Sequence, residues 1–323
     1  MNKLRFGIVV VVLTAFLSQG LMAQVLKVDP KVAEYEKVRG ISGNANSIGS
    51  DTMNNLMTLW LEAFKKYYPL VNIQIEGKGS STAPPALIEG TAQFGPMSRE
   101  MKAKEIDDFE KKYGFKPTTI KTSLDALAIF VEKDNPIDCL SLEEADAIFS
   151  KTRKRGHADI ETWGDLGLKG EWANKPVSIF GRNSASGTYG FFKEEALKKG
   201  DYKDTVKEQP GSASVVQGVT EDKYAIGYSG IGYKTSGVKA VKLSEKKGGK
   251  CVDGSYENVT SKTYPLSRYL FINVVKYPNK PLDPMVKEFL KFVLSSEGQQ
   301  IVIKDGYLPL PVDILAQELK KLD

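Results

Sequence analysis

The sequence predicts an α/β protein of two lobes with a ligand cleft between them, and three observations carry that prediction. Short apolar runs alternate with amphipathic helical patterns along the chain, as strands and helices in succession do. Two strongly apolar strand candidates, 124–131 and 270–275, stand far apart and enclose a self-contained set of further elements. No internal repeat recurs at a period of roughly 20–50 residues, which argues against a solenoid or propeller. The 323 residues suffice for two domains of ordinary size. A composition of 41% hydrophobic, 10% aromatic and 26% charged residues is that of a globular protein.

The elements follow in order. Lys3 and Arg5 precede an apolar run over 6–17, and Leu21-Met22-Ala23 stands ahead of Gln24. This layout predicts a secretory signal over 1–23, cleaved after Ala23. The run is short for a bilayer span, which needs about 20 apolar residues, and no cysteine stands nearby to carry a lipid. Residues 24–38 read as a polar leader with little structure. Ile41-Ser42-Gly43 is a candidate strand, followed by a Gly/Ser/Asn loop to Asp51. Leu56, Leu59, Trp60, Ala63 and Phe64 then mark one face of a helix that Pro69 stops. Residues 71–75 alternate as a strand, Gly79-Ser80-Ser81 form a second loop, and Pro84-Pro85 suit the start of a short helix. A strand at 94–97 leads into Ser98-Arg99-Glu100.

The buried strand at 124–131 is expected to pair with 270–275. Between them lie a helix at 142–149, a strand at 177–180, a helix at 188–198 and an apolar stretch at 225–228. Beyond Pro284, Val286, Phe289, Leu290 and Val293 mark a helix toward the C-terminus. The implied organisation is a first lobe from 24–121 and 265–323, with a second lobe, 122–264, inserted. Two crossings make a hinge, and a cleft between lobes is a natural ligand site.

Charge and composition exclude several classes. The formal charge of +5 falls to +3 once Lys3 and Arg5 leave with the signal, too weak an excess to argue for nucleic acid. The Lys-rich stretches 151–155 and 246–250 read as solvated loops. Cys139 and Cys251 either pair, closing a long loop worth about 4–5 kcal/mol by chain entropy, or stand as separate buried thiols. Their spacing fits no metal or redox motif. His157 is the sole histidine and sits among basic residues, so it reads as a surface imidazole. No Gly-x-Ser-x-Gly elbow is present to use it. Gly248-Gly249-Lys250 lacks the spacing of a phosphate-binding Walker loop, and zinc would need more His and Cys than the chain has. The sequence therefore predicts a protein that is not an enzyme and holds neither cofactor nor metal.

The informative segment is 179–192, where a strand ends in Arg182-Asn183-Ser184-Ala185-Ser186-Gly187-Thr188 and a helix begins. The first N–H groups of a helix lack partners within it, and its N-terminus carries partial positive charge. Together they suit an anion. Ser186 and Thr188 add hydroxyls, Gly187 admits close backbone approach, and Arg182 supplies a planar cationic fork. An ordinary helix cap by Ser186 or Thr188 is the plainer alternative. The same device recurs at Gly49-Ser50-Asp51-Thr52 and Gly79-Ser80-Ser81-Thr82. Three such loops converging on one cleft would surround a small oxyanion with neutral donors and one arginine.

These loops resemble those of the phosphate-binding component of Pst-type ABC importers, periplasmic binding proteins of the type II group. The resemblance runs from about 41 to 310. It is carried by Gly49-Ser50-Asp51-Thr52 with Trp60, Gly77-Lys78-Gly79-Ser80-Ser81, Phe94-Gly95-Pro96-Met97-Ser98-Arg99-Glu100 and the Arg182–Thr188 run. Ala147-Ile148-Phe149 and Trp163-Gly164-Asp165-Leu166 add a structural likeness. The resemblance implies a periplasmic monomer that binds inorganic phosphate through Ser50, Asp51, Thr52, Ser80, Ser81, Ser98, Arg182, Ser186, Gly187 and Thr188. It further implies delivery to a membrane ABC permease. Two departures stand out. Ser98 falls where some members place an aspartate that accepts the proton of phosphate, and Ser184 where some place an aspartate paired with the arginine. Asp51 is then expected to take over as proton acceptor, its alternative being a cap on the helix that follows it. Arg99 is expected to point to solvent. The alternative functions are capture of another oxyanion or a phosphate ester, and an adhesion or sensing role on the same scaffold.

Overall fold

A computed structural model describes residues 26–323; the expected signal segment lies outside them. Among the described residues no helix is long and apolar enough to cross a membrane.

β1 (Gly43–Gly49) runs parallel to β2 (Val71–Gly77), joined by a 3-10 turn at Asp51–Met53 and by α1 (Asn54–Tyr67). α1 forms where the periodicity places it. Leu56, Met57, Trp60 and Phe64 are buried on one face, and the Trp60 indole donates to the Gly298 carbonyl at 2.9 Å. The strand expected at 41–43 instead occupies the segment read as a Gly/Ser/Asn loop. Its alternate residues Ala45, Ser47 and Gly49 face inward, and the full parallel ladder with β2 holds a sequence of low strand propensity in place. A Cβ at position 49 would collide with the Pro96 carbonyl, so glycine permits the close approach of the next segment. There follow α2 (Ala83–Ile88), with prolines in its first turn, then β3 (Gly95–Met97) and α3 (Ala103–Tyr113).

β4 (Thr118–Glu132) is fifteen residues long and almost wholly buried. Beyond it come β5 (Cys139–Ser141) and α4 (Leu142–Phe149), whose first turn is closed by a Ser141–Glu144 capping box. β6 (Ser178–Arg182), α5 (Gly187–Glu195), β7 (Lys207–Gln209), α6 (Ser212–Glu221) and β8 (Ala225–Gly230) form a right-hand block of strands and helices. β9 (Val238–Ala240), β10 (Lys242–Ser244) and α7 (Tyr256–Thr260) lead back to β11 (Ser267–Val274). The chain ends in α8 (Pro284–Val293), α9 (Ser296–Lys304) and α10 (Val312–Lys320).

The main sheet has the order β3-β11-β4-β8-β6-β7, with β9 also on β4. β4 is its spine. It lies antiparallel to β11 as far as Ala126, opposite Ser267, and antiparallel to β8 from Leu127, opposite Gly230. One continuous strand thus serves both halves of the molecule. β5 and β10 pair separately, and the Cys139–Cys251 disulfide forms nearby with Cα atoms 6.1 Å apart. Of the two readings for the cysteines, pairing is the one found.

Residues 26–38 carry no regular structure, as expected, but they are pinned to the first half of the fold. The Tyr35 hydroxyl lies 2.7 Å from that of Tyr68 and donates to Glu288 at 2.8 Å. Ser296 N–H donates to the Ala33 carbonyl at 2.8 Å. Lys246 to Lys250 are exposed, and His157 sits at the surface with Nε2 3.4 Å from Lys247 Nζ.

Candidate functional site

Four loops meet at one enclosed cluster of hydroxyls. Thr52 follows β1, Ser80 follows β2, Ser98 follows β3, and Thr188 lies in the first turn of α5. Thr52 Oγ1 is 2.8 Å from Thr188 Oγ1. Ser98 Oγ is 3.5 Å from Thr188 Oγ1 and 3.4 Å from Ser80 Oγ. All four side chains are buried. Each loop sits where a strand end hands over to a helix or turn, so the sheet edges aim them at a common point.

Gly187 admits this convergence. A Cβ there would overlap the Ser80 hydroxyl and stand 2.7 Å from Ser98 Oγ. Ser186 caps α5, its Oγ accepting from the N–H groups of Thr188 at 3.1 Å and Tyr189 at 3.3 Å. The cap reading of Ser186 is the one found, and a hydroxyl whose lone pairs take backbone N–H groups still has its proton to give. Ser80 is arranged likewise, accepting from Ser98 N–H at 3.0 Å. Ser50 is buried beside the cluster with its N–H on the Pro96 carbonyl at 2.8 Å. Ser81 stands at the edge, where its N–H donates to the Ala185 carbonyl at 3.1 Å and ties the second loop to the fourth.

Arg182, at the end of β6, is 1% exposed. Its Nη1 donates to Ser212 Oγ at 2.6 Å and its Nη2 to the Pro210 carbonyl at 3.1 Å. Its Nη2 also lies 3.2 Å from Asp51 Oδ2. The buried Nε–H has no hydrogen-bond partner among the described residues, a donor that a burial cost of this size should not leave idle. Burial draws this guanidinium below its usual pKa and Asp51 opposes that shift. Asp51 caps a helix, but not the one that follows it: Oδ2 accepts from Ser212 N–H at 2.7 Å, at the start of α6. Its own carbonyl accepts from the Tyr233 hydroxyl at 3.0 Å. Ser184 is exposed, so the arginine's counter-charge comes from Asp51 on the opposite loop.

Arg99 differs from expectation. It is 8% exposed rather than in solvent, because Glu105 takes both of its terminal nitrogens at 2.7 Å. Nη2 also reaches Ser81 Oγ at 3.3 Å. Its charge is therefore spent on α3 at the margin of the site.

Sequence reasoning missed Arg268 altogether. This β11 side chain bonds Asp125 of β4 through Nε at 2.8 Å, the Ser98 carbonyl through Nη1 at 2.8 Å and Thr188 Oγ1 through Nη2 at 2.9 Å. A signal existed. Arg268 and Asp125 are charged residues set inside two apolar strands, and a charge in such a place requires a partner. Arg99 and Arg268 also border a recess of about 720 Å³ lined by Phe191, Tyr264 and Tyr269, and the hydroxyl cluster is not part of its lining. Among the described residues no group of three His, Cys, Asp or Glu could hold a metal ion.

A mixed α/β fold whose loops bring hydroxyls from several strand ends together at one buried cluster has the form of a solute-binding protein of the periplasmic-binding-protein class. A family model described as a PBP superfamily domain matches residues 38–297. The phosphate-binding protein PstS of Pseudomonas aeruginosa is 59% identical over 304 residues, 94% of each chain. That of Staphylococcus haemolyticus is 30% identical over 289 residues, covering 88% of this chain and 86% of its own. The chain belongs to the PstS family of phosphate-binding proteins. Among solved structures, a phosphate ABC transporter substrate-binding protein from Clostridium perfringens with bound phosphate aligns at a TM-score of 0.70. It is 27% identical and covers 83% of this chain and 100% of its own. An ABC-type phosphate transport receptor from Vibrio cholerae, 23% identical, shares the fold at a TM-score of 0.64 over 83% of this chain and 100% of its own.

Proposed function

We propose that this chain captures inorganic phosphate in the cleft between its lobes and delivers it to a membrane ABC importer. The carrying observation is a chain of four loop hydroxyls, each within 3.5 Å of the next, together with a buried arginine that has an unpartnered N–H and pairs with Asp51, the neighbour of Thr52 in sequence. That arrangement can replace the hydration shell of one small oxyanion without a metal or a covalent step. The family relationship supports the same reading, and the protein is a binding protein rather than an enzyme. Ser50, Asp51, Thr52, Ser80, Ser81, Ser98, Arg182, Ser186, Gly187 and Thr188 form the site in this reading.

The lobes divide within β4 and again before β11, giving 24–121 with 265–323 against 122–264. The exchange of partners in β4 at Ala126–Leu127 supports a crossing there. Closure brings Asp51 to Arg182 and Ser81 to Ala185, so the loaded, closed form is the one a permease would dock. Asp51 accepts the remaining proton of the bound phosphate, standing in for the carboxylate that Ser98 does not supply. The mature protein is exported to the periplasm after loss of its signal, which N-terminal sequencing of the secreted form would test.

The decisive experiment is calorimetric titration of ligand-stripped protein with phosphate, sulfate and a phosphate ester. One-to-one phosphate binding that Arg182→Ala abolishes is the expected result; binding of none of the three would overturn the reading. Asp51→Asn should erode the preference for phosphate over sulfate, and an unchanged preference would remove Asp51 from the proton-accepting role.

A further inference from the structure

We propose that Arg268, oriented by Asp125, is a specificity-determining residue. It holds the Thr188 hydroxyl as a donor and brings a second positive charge, so that the site favours the doubly charged anion over the singly charged one. The inference rests on the phosphate reading above and extends it to the protonation state that is bound.

The geometry starts from Asp125, which is fully buried in β4. One of its oxygens accepts from Ile231 N–H at 3.0 Å. The other takes the Arg268 Nε–H at 2.8 Å and lies 2.7 Å from Nη2. A guanidinium gripped on that edge has its remaining N–H groups fixed in direction. One goes to the Ser98 carbonyl and one to Thr188 Oγ1. Packing against the Phe191 ring, 5.3 Å from its centre, holds the plane from another side.

The consequence for Thr188 follows from what each group can do. An arginine guanidinium carries donors and no acceptor. Thr188 Oγ1 therefore always receives a hydrogen bond from Arg268, and a full positive charge beside it makes it a better donor and a poorer acceptor. Ser80 and Ser186 are also turned into donors, but by neutral backbone N–H groups. Of the four clustered hydroxyls, Thr188 is the one that receives its bond from a charged group. A phosphate oxygen facing this corner meets a donor, so a proton on that oxygen would face another proton. The dianion can turn its single proton toward Asp51; the monoanion has a second proton with no carboxylate to receive it. Arg182 and Arg268 are near enough for each charge to bear on the other, and two close cations favour the ligand with two negative charges.

The test is calorimetry with inorganic phosphate between about pH 6 and about pH 8, spanning its second ionisation near neutrality. Removing Arg268 alone would strand Asp125, so the variant is Asp125→Leu/Arg268→Met, which deletes both charges at similar volume. Its fold is checked by circular dichroism and thermal melting. Wild-type affinity should rise by about tenfold or more across this range as the dianion takes over. In the double variant, affinity at the upper pH should fall by about tenfold or more, and the rise with pH should largely disappear. An unchanged affinity and profile overturns the proposal. So does a weaker affinity with the full wild-type rise, which would leave the pair a merely structural role. Should wild-type protein fail to bind phosphate, the underlying reading falls, a result distinct from either of these.

Discussion

The Asp51–Arg182 and Asp125–Arg268 pairs flank the same hydroxyls, but one is built from loops and the other from strands. Asp51 rides on the turn after β1 and meets an arginine from the far lobe, with its own side chain 22% exposed. Asp125 and Arg268 face one another across β4 and β11, within one sheet, at 0% and 2% exposure. Should the lobes close and part as proposed, the first pair would be made and broken with them. The second joins neighbouring strands of one sheet, where ladder hydrogen bonds fix its spacing. Like chemistry thus divides into a latch and a fixed support, and what decides between them is the element that carries each charge.

The comparison can be broken most directly at Asp125. Asp125→Ala leaves Arg268 buried without its counter-charge and should cost about 3–5 kcal/mol of stability in denaturant unfolding. Asp51→Asn should cost far less, since Asp51 keeps access to water; equal losses would erase the distinction. Gly187→Ala is next in size. The new methyl group would meet Ser80 and Ser98 across the lobe boundary, so phosphate affinity should drop by about tenfold or more with little change in melting temperature. Ser186→Ala removes the cap of α5 and is expected to lower stability by about 1 kcal/mol, readable by thermal melting without ligand.

The smallest effect concerns Asp305, whose carboxyl is pushed up to about 6 by burial, with the Asn55 side chain as its partner. A raised carboxyl value means that its contribution to stability is present below the ordinary carboxylate range and is lost as pH rises through about 6. Asp305→Asn should therefore be more stable than the parent above about pH 6, with the advantage fading below about pH 4. Melting curves across that range would check the crossover; a constant difference would place the effect elsewhere.

Much of this fold was legible in order. Trp60 and its helical neighbours announced α1, and the apolar runs announced β4 and β11, but 270–274 lie opposite 118–123 and 127–131 lie opposite β8, so the expected register of 124–131 on 270–275 is not the one formed. The loops after β1, β2 and β6 could be read as an anion device because Gly, Ser, Thr and Arg at a strand-to-helix switch have a local chemical meaning. β1 could not be read in that way. Its residues Gly43, Asn44, Asn46 and Ser47 look like a loop, and only the ladder to β2, a non-local partner, makes them a strand. Arg268 escaped for a related reason. Its role depends on meeting Asp125 at a sequence separation of 143, and nothing next to it in the chain refers to the site. Arg99 went astray because Glu105, one helical turn into α3, captures it.

The unbroken course of β4 through its change of partners has a mechanical meaning. A loop joining two bodies lets them swing with little resistance, whereas a strand bonded on both sides can only twist, and it pushes back. Opening this molecule would load a spring at Ala126–Leu127, one residue from Asp125. Release of the anion would then work against that elastic tension, and the stiffness of a single strand would help to set how long the anion stays.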